Sequence, residues 1–292
     1  RPVLFLCLLG APVAGWAADA DRFDNSGSLA HGDGALQAES GRLQGDGLAL
    51  GLFGNVAGNL AVRRYADGTT EPVFADSAAF TLYGGYTWKS RVRFELFVPM
   101  YYANVPGKSF NSFALGDVVF QANVPLFELD ERLSISVVPA LAAPTGFDNA
   151  MVGRGFHGKI RGAISGEFDV GFGYAGNLGF TISEVDKEFG ISMGPSFNAV
   201  LSAWYRPTTH FRVGAEYDAD VGLTGGSANK RNSTMAVHAF GQMVSDTGLS
   251  VTVGAGTGLL AGVGSPDYRI FSAITWGPVH RDRDKDGIYD ND

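Results

Sequence analysis

The stretch RVRFELFVPMYY, residues 91–102, indicates the fold class because apolar residues recur in it at every second position. Phe94 and Leu96 fall on one face of an extended chain, whereas Arg93 and Glu95 fall on the other face. A strand whose two faces differ in this way lies between an apolar environment and an aqueous one. The alternation therefore predicts a β-strand with one apolar and one polar face.

The same period of two returns along most of the chain from about residue 48. About twelve such strands are predicted, at residues 48–64, 77–88, 91–102, 113–127, 133–143, 157–167, 170–182, 189–204, 209–222, 232–245, 248–260 and 268–277. Short connections such as WKSR alternate with longer ones such as APTGFDNAMVGRGFH, so short and long connections lie at opposite ends. This pattern predicts an all-β fold, a transmembrane antiparallel up-and-down β-barrel of about twelve strands in a bacterial outer membrane.

The composition agrees with such a fold and excludes several other classes. Of the 292 residues, 45% are apolar, 18% are charged and 41 are glycine, which disfavours both a disordered and a helical protein. A formal net charge of -8 argues against binding to nucleic acid, which needs a clustered basic surface. The single cysteine and five scattered histidines provide no Cys/His zinc cluster.

A soluble β-sandwich also alternates, so the charges on the polar face are used to weigh the two folds. Their number suits a water-filled lumen better than a buried core, and the membrane barrel is preferred. The residues predicted to face the lumen are Arg91, Arg93, Glu95, Asp117, Lys159, Arg161, Glu167, Arg212, Glu216, Asp218, Asp220 and Arg269. The aromatic residues predicted to form girdles at the membrane interfaces are Trp88, Tyr101, Tyr102, Phe110, Phe113, Trp204, Tyr205 and Trp276.

Four regions are predicted along the chain. Residues 1–20 combine Arg1, a short apolar run and an A-x-A pattern, which is typical of a secretory signal peptide. Residues 21–46 are polar and glycine-rich, and are expected to be a loosely ordered lead-in. The barrel is expected at 47–278 and a calcium-binding linker at 279–292. An even number of strands predicts that both termini lie in the periplasm.

The C-terminal stretch DRDKDGIYDND, residues 282–292, has oxygen ligands at positions one, three and five, and glycine at position six. This spacing matches the first half of an EF-hand loop and predicts a calcium site, with a solvated acidic linker as the alternative. Binding is expected to be weak because the bidentate glutamate at position twelve is missing. The candidate ligands are Asp282, Asp284, Asp286, Ile288, Asp290 and Asp292.

The tail resembles a thrombospondin type 3 repeat of the kind that links barrel and peptidoglycan-binding domain in OmpA-family proteins of Gram-negative bacteria. The barrel segments that resemble this family are LGDVVFQANVPLF (115–127), LAAPTG (141–146), AGNLGF (175–180) and GAGTGLLAGVGSPDYRIFSAITW (254–276). The resemblance implies an anchor that links the outer membrane to peptidoglycan. Residues 1–292 contain no peptidoglycan-binding domain, so this contact is implied only through a domain outside them.

Two other functions are kept open. A charged lumen predicts, as the alternative, a porin-like channel for small solutes or ions. An outer membrane enzyme is the weakest option, because the sequence has no G-x-S-x-G nucleophile motif and no convincing catalytic pair. The chain is therefore expected not to be an enzyme, and membrane lipid is its expected partner.

Overall fold

The strands of the barrel account for most of the described chain. The computed structural model describes residues 25–31, 34–43, 45–64, 70–104, 111–146, 156–168, 170–183, 186–188, 191–224, 233–260 and 264–278. Within these residues the chain forms a short helix, α1 (Ser28–His31), and fifteen strands. The strands are β1 (Gly47–Arg64), β2 (Thr70–Trp88), β3 (Val92–Asn104), β4 (Asn111–Leu115), β5 (Val118–Leu129), β6 (Leu133–Ala143), β7 (His157–Phe168), β8 (Phe172–Ser183), β9 (Asp186–Glu188), β10 (Ile191–Met193), β11 (Ser196–Thr208), β12 (Phe211–Gly222), β13 (Ser233–Val244), β14 (Leu249–Gly258) and β15 (Tyr268–Trp276).

Thirteen of these strands form one closed antiparallel sheet. Strand β1 pairs with β2 on one side and with β15 on the other, which closes the barrel. Strands β4 and β5 are two parts of one barrel strand, since both pair with the same side of β3, so the barrel has twelve strands. The predicted antiparallel barrel of twelve strands is therefore confirmed. Strands β9 and β10 form a separate two-stranded hairpin.

Two predicted strands are divided in the structure. The strand predicted at 113–127 is interrupted at residues 116–117. There, side-chain hydrogen bonds take the place of backbone pairing: the Asp117 carboxylate accepts from the Gly146 amide, and the Val118 amide donates to the Thr145 hydroxyl. The strand predicted at 189–204 is divided into β10 and β11. Pro195 lies directly before β11 and has no N–H to donate to a ladder.

The two faces of the barrel are the reverse of those of a soluble protein. Leu178, in the middle of β8, has 59% of its surface exposed, whereas the preceding Asn177 has 2%. The described outer surface is rich in such large apolar side chains, and the buried interior contains many charged and amide side chains. No helix among the described residues is long and apolar enough to cross a bilayer.

The aromatic girdle contains fewer of the predicted residues than expected. Trp88, Tyr205 and Trp276 lie outside the barrel near its short connections, each about half exposed. The prediction is wrong for Trp204, which is 4% exposed and faces the lumen, because consecutive strand residues point to opposite faces. Tyr101 is half-buried on the same face of β3 as the lumenal residues. The girdle predictions for Phe110 and for the Phe113 side chain lie outside the described residues.

The predicted lead-in is not loosely ordered where the structure describes it. Residues 25–31 and 34–43, here called the lumenal segment, lie inside the barrel. Of those whose burial is described, all are buried except Asn25 and Arg42, which are half-buried. Helix α1 contacts both β1 and β15. The segment is ordered because inward-facing side chains of the wall provide hydrogen bonds for its backbone, as described below.

Replacing Leu178 by arginine places a charge on the lipid face near mid-depth of the wall. The expected loss in free energy of unfolding is about 2–4 kcal/mol. Met243 also points outward, but it lies next to the short connection after β13, so Met243→Arg is expected to cost about 0–1 kcal/mol. Urea unfolding in lipid vesicles measures both values, and equal small losses would contradict a lipid-facing surface at Leu178.

Candidate functional site: the lumen and its internal segment

The lumen is lined by polar side chains that alternate inward along the strands. They come from most of the circumference of the barrel, so the lumenal segment is contacted from many sides. The wall residues that contact the segment, or that contact its ligands, are Thr81 and Tyr83 of β2, Arg93 and Glu95 of β3, Gln121 and Asn123 of β5, Ser136 of β6, Arg161 and Ser165 of β7, Asn177 of β8 and Glu216 of β12.

The Glu39 carboxylate is the centre of this arrangement. It lies 3.2 Å from Nη2 of Arg93 and 3.8 Å from Nη2 of Arg161. It also accepts hydrogen bonds from Nε2 of Gln121 at 2.8 Å and from Oγ of Ser28 at 2.6 Å. Three wall strands and the segment itself therefore hold one carboxylate in a fully buried position.

A second carboxyl group lies beside the first. Glu95 is 2.9 Å from Nε of Arg93 and accepts from Nε2 of Gln121 at 2.6 Å and from the Tyr83 hydroxyl at 3.1 Å. We call Glu39, Arg93, Glu95, Gln121 and Arg161 the buried charge cluster. Since it combines two guanidinium and two carboxyl groups, each charge has an opposite partner nearby.

The environment of Glu39 keeps this carboxyl group ionised. Burial acts to raise its pKa, but the guanidinium groups of Arg93 and Arg161 lower it, as do hydrogen bonds from Ser28 and Gln121. The net effect is a pKa below the usual value for glutamate. Glu39 belongs to the lumenal segment and not to a membrane-spanning strand, so the segment carries a negative charge into the barrel.

Two wall side chains bind the segment through its backbone. The Glu216 carboxylate accepts hydrogen bonds from the amides of Gln37 and Ala38 at 3.0 and 3.2 Å. The Asn177 side chain accepts from the Glu39 amide at 2.7 Å and donates to the Glu39 carbonyl at 3.0 Å. These contacts satisfy backbone groups that would otherwise be buried without partners.

Serine and asparagine side chains hold the next residues. The carbonyl of Ser40 accepts from Nδ2 of Asn123 at 3.0 Å and from Oγ of Ser136 at 3.2 Å. The hydroxyl groups of Ser40 and Ser165 are 2.9 Å apart, and Ser165 also accepts from the Gly41 amide at 2.9 Å. The segment is thus bonded to β5, β6 and β7 within two residues.

The apolar side of the segment packs against aromatic rings that face inward. Leu29, Ala30, Ala35 and Leu36 belong to one buried apolar cluster with these rings. We call the rings the lumenal aromatic cluster: Phe53, Tyr83, Phe97, Trp204, Phe240 and Phe271. Inward-facing rings leave apolar surface inside the lumen, and the leucines of the segment cover part of it.

The two ends of the lumen differ. At the end with the short connections, Arg42 pairs with Glu128 at 2.9 Å and Glu131 at 3.2 Å, and these side chains are partly exposed. At the opposite end, Nδ1 of His238 lies 3.2 Å from Oδ1 of Asp218. These two side chains and Arg269 line a small cavity at this end of the lumen.

Most residues predicted to line the lumen do face it. The buried ones are Arg93, Glu95, Asp117, Arg161, Arg212, Glu216 and Arg269. Those at inward-facing positions but only partly buried are Lys159, Glu167, Asp218 and Asp220. Glu167 pairs with Arg206 at 3.1 Å. The prediction is wrong for Arg91, which is exposed in the turn before β3, because the strand begins one residue later than predicted.

The predicted calcium ligands cannot be placed. Asp282, Asp284, Asp286, Ile288, Asp290 and Asp292 lie outside the described residues, as does the predicted signal peptide at 1–20. Within the described part of the chain, no group of three or more His, Cys, Asp or Glu side chains is arranged to hold a metal ion.

Sequence reasoning missed the lumenal segment and the lumenal aromatic cluster. The available signal is a short stretch in which small residues and one leucine are interspersed with polar ones, GALQAES at 34–40. Small side chains allow a chain to fit within a barrel. Nothing in the local sequence, however, specifies that Arg93 and Arg161 bind Glu39, since these arginines lie far away in sequence.

Comparisons with known proteins agree with the fold. The family described as putative MetA-pathway of phenol degradation matches residues 20–262. An outer membrane channel from Pseudomonas putida F1 is similar, with a TM-score of 0.63 and 13% identity over 80% of this chain and 97% of that chain. The NanC porin is also similar, with a TM-score of 0.54 and 8% identity over 78% of this chain and 100% of that chain. Comparison with curated proteins finds no match.

At these identities the two structures show the fold alone, that of an outer membrane β-barrel. The matched family is not the OmpA family, and neither the family match nor these two structures supports the thrombospondin type 3 repeat.

Replacing Glu39 by alanine is expected to release the lumenal segment. Removing one partner of a buried ion pair costs about 3–5 kcal/mol, because the remaining charges stay buried without their partner. The amides of Gly27 and Ser28, which donate to Glu39, should exchange with deuterium at least about tenfold faster. Hydrogen-exchange mass spectrometry in detergent measures this rate.

The matched control is Arg42→Ala, which removes two partly exposed ion pairs of the same segment. Such pairs contribute about 0–1 kcal/mol, so exchange at the two amides should hardly change. Equal protection in the wild type and in Glu39→Ala would show that the buried charge cluster does not hold the segment.

Proposed function

The chain belongs to the family described as putative MetA-pathway of phenol degradation, and from this premise we propose that it is an outer membrane channel for small solutes. The main support is the way in which the lumen is filled. Wall side chains from β2 round to β12 converge on the lumenal segment, and Glu39 lies among them. The channel is therefore closed by a segment of the N-terminal region and not by the wall alone.

A segment held by polar contacts can be displaced without breaking the barrel. Its hydrogen bonds end on side chains, whereas the closed sheet is held by backbone pairing between strands. A barrel whose only task is anchoring needs no such arrangement, because inward-facing side chains can fill its interior. The similar solved structures are described as an outer membrane channel and a porin, which supports the same proposal.

The lumenal aromatic cluster extends the proposal to solutes that contain a ring. The Tyr83 ring contacts two others, with its centroid 6.0 Å from that of Phe53 and 5.1 Å from that of Phe97. Aromatic rings associate favourably in offset or edge-to-face arrangements at such distances. The description of the family refers to phenol degradation, and a phenol-sized ring fits the chemistry of this surface.

We place the end with the short connections in the periplasm. Strand β1 begins and β15 ends at this end, since Leu50 pairs with Trp276. Outer membrane barrels have short periplasmic turns and longer external loops. The start of β1, the end of β15 and residue Arg42 of the lumenal segment then all lie on the periplasmic side.

Anchoring to peptidoglycan and calcium binding by residues 282–292 stay predictions, since no described residue bears on either. Calorimetric titration of the full chain with Ca²⁺ tests the second, with an expected Kd on the order of 10⁻⁴–10⁻³ M. The variant D284N/D286N should bind less tightly because it loses two carboxylate ligands. Absence of heat at millimolar Ca²⁺ would leave only an acidic linker.

Locking the lumenal segment should close the channel. Because the Ser40 and Ser165 hydroxyl groups are 2.9 Å apart, cysteines at these positions are close enough for a disulfide. In planar bilayers the oxidised S40C/S165C variant should show no open steps, and a reducing agent should restore the conductance of the wild type. The single variant S40C should conduct in both conditions.

The same conductance before and after reduction would contradict gating by the segment. A variant that lacks residues 25–43 should conduct continuously if it forms a barrel, which heat-modifiable gel migration reports. If the wild type, the reduced variant and this deletion are all silent, the channel proposal fails.

A further inference from the structure

The groups that bind the Glu39 carboxylate belong to two different parts of the molecule. Ser28 and Gly27 are in the lumenal segment, and they leave with Glu39 when the segment moves. Arg93, Gln121 and Arg161 are on strands β3, β5 and β7, which remain in the wall. In an open channel, the side chains of Arg93, Gln121 and Arg161 would therefore still converge on the position that the Glu39 carboxylate occupies in the closed state.

The net charge around the Glu39 position becomes more positive when the segment leaves. Within the buried charge cluster, the wall contributes two guanidinium groups and one carboxyl group, that of Glu95, which is bound to Arg93 and Gln121. Removing Glu39 thus leaves an excess of positive charge at Arg93 and Arg161, which are 0 and 4% exposed in the closed state. A buried charge without a partner is unfavourable, so an anion is favoured there. Glu95 disfavours an anion with two charges, because like charges repel at this distance.

Apolar surface lies directly beside the charge cluster. The Tyr83 hydroxyl donates to Glu95, and the Tyr83 ring contacts Phe53 and Phe97. In the closed state the apolar part of the segment, with Leu29, belongs to the same cluster as these rings. The segment therefore places a carboxylate on the arginines and an apolar side chain on the rings.

We propose that Arg93, Gln121 and Arg161 form a binding site for the carboxylate of a solute with an apolar body, and that Glu39 occupies this site in the closed channel. The inference rests on the proposed channel function and names the class of solute, a small organic monocarboxylate. The polar groups at the other end of the lumen do not provide an equivalent site, because Arg269 there donates to Asn55 at 2.7 Å and shares its cavity with Asp218.

The first experiment uses the full chain with Glu39→Ala and sodium benzoate as the probe, with calorimetric titration in detergent. Without its own carboxylate the site should bind benzoate at least about tenfold more tightly than in the wild type, because Glu39 no longer competes. The double variant E39A/R161A should lose at least about tenfold of that affinity, since a charge-assisted contact is removed. The control E39A/R206A changes an arginine at the short-turn end and should bind as E39A does.

Phenol is the matched uncharged probe. Its affinity should differ little between E39A and E39A/R161A, because it carries no carboxylate for Arg161 to bind. Benzoate binding that is no tighter in E39A than in the wild type, or that is unaffected by Arg161→Ala, would overturn the inference. Tighter binding of phenol than of benzoate would also overturn it, while the conductance of the locked variant would still decide the channel proposal separately.

A second measurement needs no variant and applies even if E39A fails to fold. Benzoate competes with Glu39 in the wild type, so it should accelerate deuterium exchange at the Gly27 and Ser28 amides. Acetate, which lacks the apolar body, should accelerate it less, and sodium chloride at the same ionic strength should not. Equal exchange with benzoate and chloride would contradict the site.

Discussion

Every backbone N–H and C=O group within the hydrocarbon layer must find its hydrogen-bond partner inside the protein, and this constraint organises the whole molecule. Water is absent from the layer, so an unpaired group there costs several kcal/mol. Strand β1 pairs with both β2 and β15, so the sheet has no open edge and its backbone groups find their partners within the protein. Because the closed sheet meets lipid on its outside, the apolar face of each strand must point outward, and the polar face encloses the lumen.

A polar lumen creates a second requirement, which the lumenal segment satisfies. Charged and amide groups inside a barrel must be hydrated or paired. In this chain Glu39 pairs with Arg93 and Arg161, and Asn177 and Glu216 bind the backbone of the same segment. Segment and wall therefore complement each other in charge and in hydrogen bonding. In the proposed channel, the groups that hold the segment would become available to a solute when the segment leaves.

The fold could be predicted from the sequence because the alternation in strands such as β3 is local. Phe94 outward and Arg93 inward follow directly from a period of two. The same period contradicts the predicted girdle at one point: Trp204 and Tyr205 are adjacent in a strand, so only one of the two side chains can face the membrane interface. Arg91 is two residues before Arg93 and would face the lumen if the strand included it, but β3 begins at Val92. The alternation of residue types predicts which face a strand residue occupies; the turn determines where the strand begins.

The candidate site could be predicted only in part. The alternation predicts that the wall arginines face the lumen, but nothing in the sequence connects Glu39 with them. Residues 34–43 have the composition of a linker, and their order depends on side chains such as Gln121 and Arg161, far away in the sequence. The sequence also does not predict that rings such as that of Phe53 point into a polar lumen. They do so because the apolar side chains of the segment pack in the same cluster, and that packing depends on the fold.

Quenching of tryptophan fluorescence by brominated lipids tests the inside-out arrangement most directly. Two variants of the full chain are compared in vesicles, one with Trp276 and the other with Trp204 as its single tryptophan, the remaining ones being phenylalanine. Trp276 is 45% exposed on the outer surface and should be strongly quenched, whereas Trp204 is buried in the lumen and should keep its fluorescence. Equal quenching of the two tryptophans, or no quenching of Trp276, would contradict a barrel whose apolar face meets lipid and whose polar face encloses the segment.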